Sequence, residues 1–153
     1  MGTLKDVASF ICFNRNSLAE ILPHRGPALR KIDGVFLNLG NPKAIIGIKQ
    51  IQPDDPDIEG HFPGAPTYPG YAQDEFVCLV AAAFVSCSID GLSTNPHVVQ
   101  KIAKYKKSAA PGDTLTAEVK FLDRRGRFFL FSAEIRNQRN EIIADYEKIV
   151  GAV

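Results

Sequence analysis

Between Lys43 and Ile51 the chain alternates, with Ile46 and Ile48 set against Gly47 and Lys49. A two-residue period of this kind predicts a strand. The C-terminal half repeats it. Leu115, Ala117, Val119 and Phe121 alternate with Thr114, Thr116, Glu118 and Lys120. Phe129, Phe131, Ala133 and Ile135 alternate with Leu130, Ser132, Glu134 and Arg136. Turn-like links, Asp123-Arg124-Arg125-Gly126 and Asn137-Gln138-Arg139-Asn140, separate these runs. A third strand, about Glu141 to Val150, completes a meander. Leu29 to Leu39 and His97 to Ser108 are further strand-like stretches. Thr3 to Leu22 mixes apolar and polar positions, and Asn16-Ser17 is placed to cap a short helix through Leu18 and Ile21 that Pro23 ends. One segment has neither period. Phe76 to Val85 is apolar on every side, which predicts a helix buried all round. Pro69-Gly70 supplies its start. The layout predicted is α+β: one buried central helix wrapped by an antiparallel sheet of about five or six strands.

Gln52 to Pro69 breaks the pattern. Pro53, Pro56, Pro63, Pro66 and Pro69 exclude a regular helix or a central strand. An ordered loop of this length inside a compact domain is usually functional. Its acidic run, Asp54, Asp55, Asp57 and Glu59, reads as a solvated face.

The chain has 153 residues, the size of one domain, taken as 1–153. Hydrophobic residues make up 45% and charged residues 23%, which excludes a disordered or low-complexity chain. A net charge of +1 argues against general nucleic-acid binding. Cys12, Cys78 and Cys87 fit neither a disulfide framework nor a zinc site, and free thiols point to a reducing cytoplasm. No signal peptide is read at the N-terminus. The apolar run is far short of the ~20 residues that cross a bilayer, so no membrane span is expected.

The chemistry concentrates in Gly60-His61-Phe62-Pro63-Gly64-Ala65-Pro66-Thr67-Tyr68-Pro69-Gly70, followed by Glu75. Proline and glycine on both sides hold His61 in a fixed loop. Glu75 lies about one and a half turns into the helix among apolar neighbours, where desolvation favours the neutral acid. Histidine is the usual general base near neutral pH, and a protonated carboxyl donates well. The first amides of the helix, near Gly70, have no intrahelical acceptors and sit at the positive end of its dipole. Base, acid and oxyanion donor are the parts needed to eliminate water from a β-hydroxy carbonyl compound.

His-Phe-Pro-Gly, a Pro-Gly and a glutamate at this spacing resemble the 3-hydroxyacyl-[acyl-carrier-protein] dehydratases of the FabZ type, hotdog-fold enzymes of fatty-acid synthesis. Leu22-Pro23-His24-Arg25 with Pro27, then Ile32-Asp33, resembles the family's N-terminal signature. Lys104-Tyr105-Lys106-Lys107 followed by Pro111-Gly112-Asp113 resembles its late one. The resemblance spans about residues 21 to 150. It implies His61 and Glu75 as catalytic residues and the Gly70 N–H as the holder of the thioester oxygen. Phe62, Tyr68 and Tyr71 are candidate substrate contacts beside them. It implies a homodimer with His61 from one chain and Glu75 from the other in each site; many members assemble three such dimers. The chemistry needs no cofactor and no metal.

Tyr71-Ala72-Gln73-Asp74 stand where the family usually has apolar residues, and Leu79 where it often has an amide. Asp74 reads as a plain acid at the helix start. His24 and His97 read as structural. Lys101, Lys104, Lys106 and Lys107 form a basic cluster, with no acid from Val98 through Gly112. Lys104, Lys106 and Lys107 are the candidate docking site for an acidic acyl carrier protein, with Arg124, Arg125 and Arg127 as possible contributors. A hotdog thioesterase and a non-catalytic acyl-binding hotdog subunit are the alternatives; the Gln73-Asp74 pair is the feature that favours the latter.

Overall fold

The computed structural model describes residues 10–38, 40–41, 43–88 and 95–153. Its elements are β1 (Phe10–Asn14), α1 (Arg15–Ile21), a 3-10 turn (Gly26–Lys31), β2 (Gly34–Asn38), β3 (Ala44–Gln50), α2 (Gly70–Ser88), β4 (His97–Tyr105), β5 (Thr114–Arg125), β6 (Phe128–Arg136) and β7 (Ile142–Ala152). The strands form one antiparallel sheet in the order β1-β2-β3-β5-β6-β7-β4. The α+β reading holds, with seven strands among the described residues rather than five or six.

The sheet wraps α2. Phe76, Val77, Leu79, Val80, Ala83, Phe84 and Val85 of the helix are buried against Leu115, Ala117, Val119, Phe129, Phe131 and Ile135 of the sheet. The two-residue period placed β3, and the tertiary structure set its inward phase. Ile45, Gly47 and Lys49 point inward, while Ile46 and Ile48 are half-buried on the other face. Gly47 is required here: a Cβ on it would lie 2.1 Å from Val80 Cγ2, so α2 rests directly on the β3 backbone.

The N-terminal region differs from its reading. β1 is a strand that the mixed pattern did not show, and the part of that stretch from Thr3 to Ser9 lies outside the described residues. The cap of α1 is Asn14, not Asn16-Ser17. Asn14 Oδ1 accepts from Ser17 N–H at 3.0 Å and Ser17 Oγ accepts from Asn14 N–H at 2.9 Å, a reciprocal capping box. Leu29 to Leu39 is not one strand, because Pro27 starts a 3-10 turn that delays β2 to Gly34; Leu39 lies outside the described residues. The link at 123–126 is tighter than predicted, since β5 runs on to Arg125. Among the described residues no helix is long and apolar enough to cross a membrane.

Candidate active site

The loop from Gln52 to Pro69 is pinned at its root by a buried ion pair. Lys49 Nζ lies 2.9 Å from Asp55 Oδ2, and the two side chains are 1% and 3% exposed. The same ammonium donates to the Arg30 carbonyl at 2.7 Å, and Asp55 Oδ2 accepts from Gln52 N–H at 2.9 Å. Asp57 pairs with Lys31 at 3.5 Å, both largely buried. The acidic run is therefore not a solvated face: Asp55 and Asp57 anchor the loop, and only Asp54 and Glu59 are exposed. Charge alone gave no means to tell the anchors from the rest, because their cations lie on β3 and the 3-10 turn.

From this root a series of tight turns carries the chain to His61: Ile58 N–H to Asp55 O, then His61 N–H to Ile58 O, both 3.0 Å. Gly60 (φ 75°) and Gly64 (φ 77°) bracket the His-Phe-Pro triplet in the left-handed region, which side chains with a Cβ adopt only with strain. The Phe62 ring stacks on His61 with centroids 4.2 Å apart. His61 Nδ1 lies 3.0 Å from Thr67 O. A carbonyl can only accept, so Nδ1 carries a proton, and in the neutral ring the lone pair is on Nε2.

His61 shares a cavity of about 460 Å3 with Tyr68, Gly70, Gln73 and Tyr105, with Lys106 and Lys107 at its wall. Tyr68 is buried, and its hydroxyl finds no hydrogen-bond partner among the described residues. Burial first, then the negative field of Asp57 and Asp55, pushes that phenol far above its ordinary value, so it stays a donor. Gln73 donates from Nε2 to the Tyr68 carbonyl at 3.2 Å, and its Oε1 is buried without a partner among the described residues.

Glu75 is not in this cavity. It lines a mostly apolar chamber of about 300 Å3 with His24, Leu79, Val85, Phe129 and Phe131, and a second opening with Lys31, Tyr71 and Lys101. One chain thus separates the predicted set: Gly70 and Tyr68 lie with His61, whereas Tyr71 lies with Glu75. Phe62 is exposed beside His61. Cys78 lines the Glu75 side, but burial and the nearby Glu75 carboxyl push its thiol up to about 12, which removes it as a nucleophile at neutral pH.

A family model described as ApeI-like, ApeI dehydratase, matches residues 40–145. A 3-hydroxyacyl-[acyl-carrier-protein] dehydratase FabZ of Bartonella henselae is 34% identical over 143 residues, covering 91% of each chain. The FabZ of Bradyrhizobium diazoefficiens is 31% identical over 142 residues, 90% of this chain and 89% of that protein. The chain belongs to the FabZ-type, ApeI-like dehydratases. Solved structures agree on the fold of this dehydratase. The dehydratase heterocomplex ApeI:P of Xenorhabdus doucetiae superposes with a TM-score of 0.73 at 13% identity, covering 88% of this chain and 89% of that one. The E. coli PaaI protein does so with a TM-score of 0.59 at 15% identity, covering 72% and 76%. The hotdog reading of the fold is thereby established.

Asp74 and two lysines of the dehydratase have partners that the sequence did not reveal. Asp74 is no plain helix-start acid; it is buried under Lys101, Tyr105 and Tyr146, each bonded to its carboxylate. His24 is half-buried against the Glu75 chamber, and its Nδ1 has no hydrogen-bond partner among the described residues. In the basic cluster, Lys101 is engaged by Asp74 and Lys107 by Glu141, while Lys104 and Lys106 stay exposed. Among the described residues no cluster of His, Cys, Asp and Glu is arranged to hold a metal ion.

Proposed function

We propose that this dehydratase converts a (3R)-hydroxyacyl thioester on an acyl carrier protein to the trans-2-enoyl thioester, with His61 as base and Glu75 as acid. His61 Nε2 takes the proton from the carbon next to the thioester carbonyl. The electron pair left behind closes the new C=C bond as the C–O bond to the hydroxyl breaks. Glu75 supplies the proton that lets the hydroxyl leave as water. Developing charge on the thioester oxygen meets the Gly70 N–H at the start of α2. His61 ends protonated and Glu75 ionised, and exchange with solvent resets both. The observation that carries this reading is that His61, its tautomer set by Thr67, shares a cavity with Gly70.

The acid comes from a second copy of the chain. β4 ends the sheet, and Val98, Val99 and Ile102 on it are 40–47% exposed. An apolar edge of this kind is a ready site for pairing with another strand. A two-fold dimer through β4 makes two identical sites, each with His61 of one protomer and Glu75 of its partner. The carrier docks at Lys104, Lys106 and Lys107, two of which line the His61 cavity.

The test uses crotonyl and 3-hydroxybutyryl thioesters with no added metal. Interconversion is expected; release of free thiol would mean a thioesterase, and no reaction a binding module. His61→Ala should lose about 100-fold or more, as a missing general base does. Co-expressing His61→Ala with Glu75→Gln separates composite from single-chain sites. Random pairing makes about half the dimers mixed, and one site of each mixed dimer is intact, so about a quarter of wild-type activity should return. No return would overturn the composite site.

A further inference from the structure

Asp74 stands one residue before Glu75, and its side chain is 10% exposed. Three donors converge on it. Tyr105 Oη donates to Oδ1 at 2.6 Å, Tyr146 Oη to the same oxygen at 2.7 Å, and Lys101 Nζ to Oδ2. Lys101 and Tyr105 come from β4 and Tyr146 from β7, so the carboxylate clamps the first turns of α2 to two neighbouring strands. Burial above all, then the bond to Asp74, drives both phenols far above their ordinary range, which keeps them as donors. Tyr146 is 1% exposed and fixes Asp74 from the core.

Tyr105 differs from Tyr146 in what lies at its other side. Within one chain it is 52% exposed, so packing inside the protomer alone does not hold it. Yet its ring lies directly on Gly70: a Cβ there would be 3.0 Å from Cε1 and 3.1 Å from Cζ. The same ring lines the cavity that contains His61. Within the protomer the ring is tied by its hydroxyl to a buried acid and rests on Gly70, the residue whose amide is assigned to the thioester oxygen.

We propose that Asp74 is a positioning residue of the dehydratase: through Tyr105 it sets the wall against which Gly70 and His61 meet the thioester. The inference rests on the active-site reading above. Asp74 also borders the opening that holds Glu75, so one carboxylate lies between the base side of one site and the acid side of the other.

The experiment is a double-mutant cycle on full-length protein, with 3-hydroxybutyryl-N-acetylcysteamine as the probe and kcat, KM and thermal midpoint as readouts. Tyr105→Phe keeps the ring and removes only the bond. It should lower kcat about 10-fold, less than the ~100-fold that a 1 Å misplacement can cost. Its midpoint should change much less than that of Asp74→Ala, because the ring stays and Asp74 keeps its bonds to Tyr146 and Lys101. Asp74→Ala should lower kcat by a similar factor and the midpoint as well, since Tyr146 Oη is left buried without an acceptor. In the Tyr105→Phe background, Asp74→Ala should lower kcat no further, the signature of two groups acting as one. A Tyr105→Phe enzyme with wild-type kcat overturns the inference, as do losses that multiply in the double variant. Tyr105→Phe decides the matter alone if Asp74→Ala does not fold. An inert wild type, or a fully active His61→Ala, strikes the underlying site reading instead.

Discussion

Removing the Asp55 carboxylate should unfold the protein at a markedly lower temperature and misplace His61 while leaving every group of the proposed site present. Asp55→Ala leaves the Lys49 ammonium, 1% exposed, with the Arg30 carbonyl as its remaining partner at 2.7 Å. It also strips the Gln52 N–H of its acceptor. Breaking a buried pair by deleting one partner costs about 3–5 kcal/mol. The surviving carbonyl bond puts this case at the lower end, about 3 kcal/mol. At roughly 2–4 °C per kcal/mol for a chain of this size, the midpoint should fall by about 6–12 °C. Circular dichroism melts measure that shift. The double variant Lys49→Met with Asp55→Leu should recover most of it, because replacing both charges by apolar groups of similar size is often neutral. Turnover should stay low in the double variant, since the loop that carries His61 loses its anchor either way. A loss under about 1 kcal/mol in Asp55→Ala would mean that the pair contributes no more than an exposed one, and the pinned-loop reasoning would fail.

Gly47→Ala should destabilise by about 1–3 kcal/mol, the usual range for overpacking, because the new methyl meets Val80 Cγ2; adding Val80→Ala should restore much of the melting temperature, and additive losses would refute the contact. Glu141 is held at about 2, first by its bond to Lys107 and then by Asn137 and Arg139. A carboxyl whose folded value lies below its unfolded one, about 4.3, contributes stability above that value and loses it as pH falls toward 2. The Glu141 carboxyl resonance should therefore titrate near 2 in the wild type and move toward 4 in Lys107→Met; a wild-type midpoint near 4 would refute the pairing. Lys104→Glu with Lys106→Glu should lower kcat/KM several-fold more on a carrier-bound substrate than on a small free thioester, with a larger gap at low salt. Equal losses on the two substrates would mean that these lysines do not dock the carrier.

The sequence by itself determined the central helix and most of the strands, and it pointed to the candidate chemistry. Alternation at Leu115–Phe121 and Phe129–Ile135 specifies half-buried strands, because a two-residue period puts one face on a core and the other on water. A run with no polar face, Phe76 to Val85, can only be buried, so the central helix was legible too. His61, Gly70 and Glu75 could be proposed together because the loop and helix that carry them are contiguous in the chain. The sequence did not reveal what depends on residues distant along it. β1 lacks a clean period, and the phase of β3 is set by Val80 packing onto Gly47. Asp55 and Asp54 are chemically alike and adjacent, yet only one meets Lys49 in the core. Asp74 looked like any acid near a helix start until β4 and β7 brought Tyr105 and Tyr146, 31 and 72 residues away, onto its carboxylate. Periodicity is a property of neighbours in the chain, whereas the burial and partnering of a charge are properties of neighbours in space. The tertiary structure alone therefore decided which polar groups anchor the loop and which face the site.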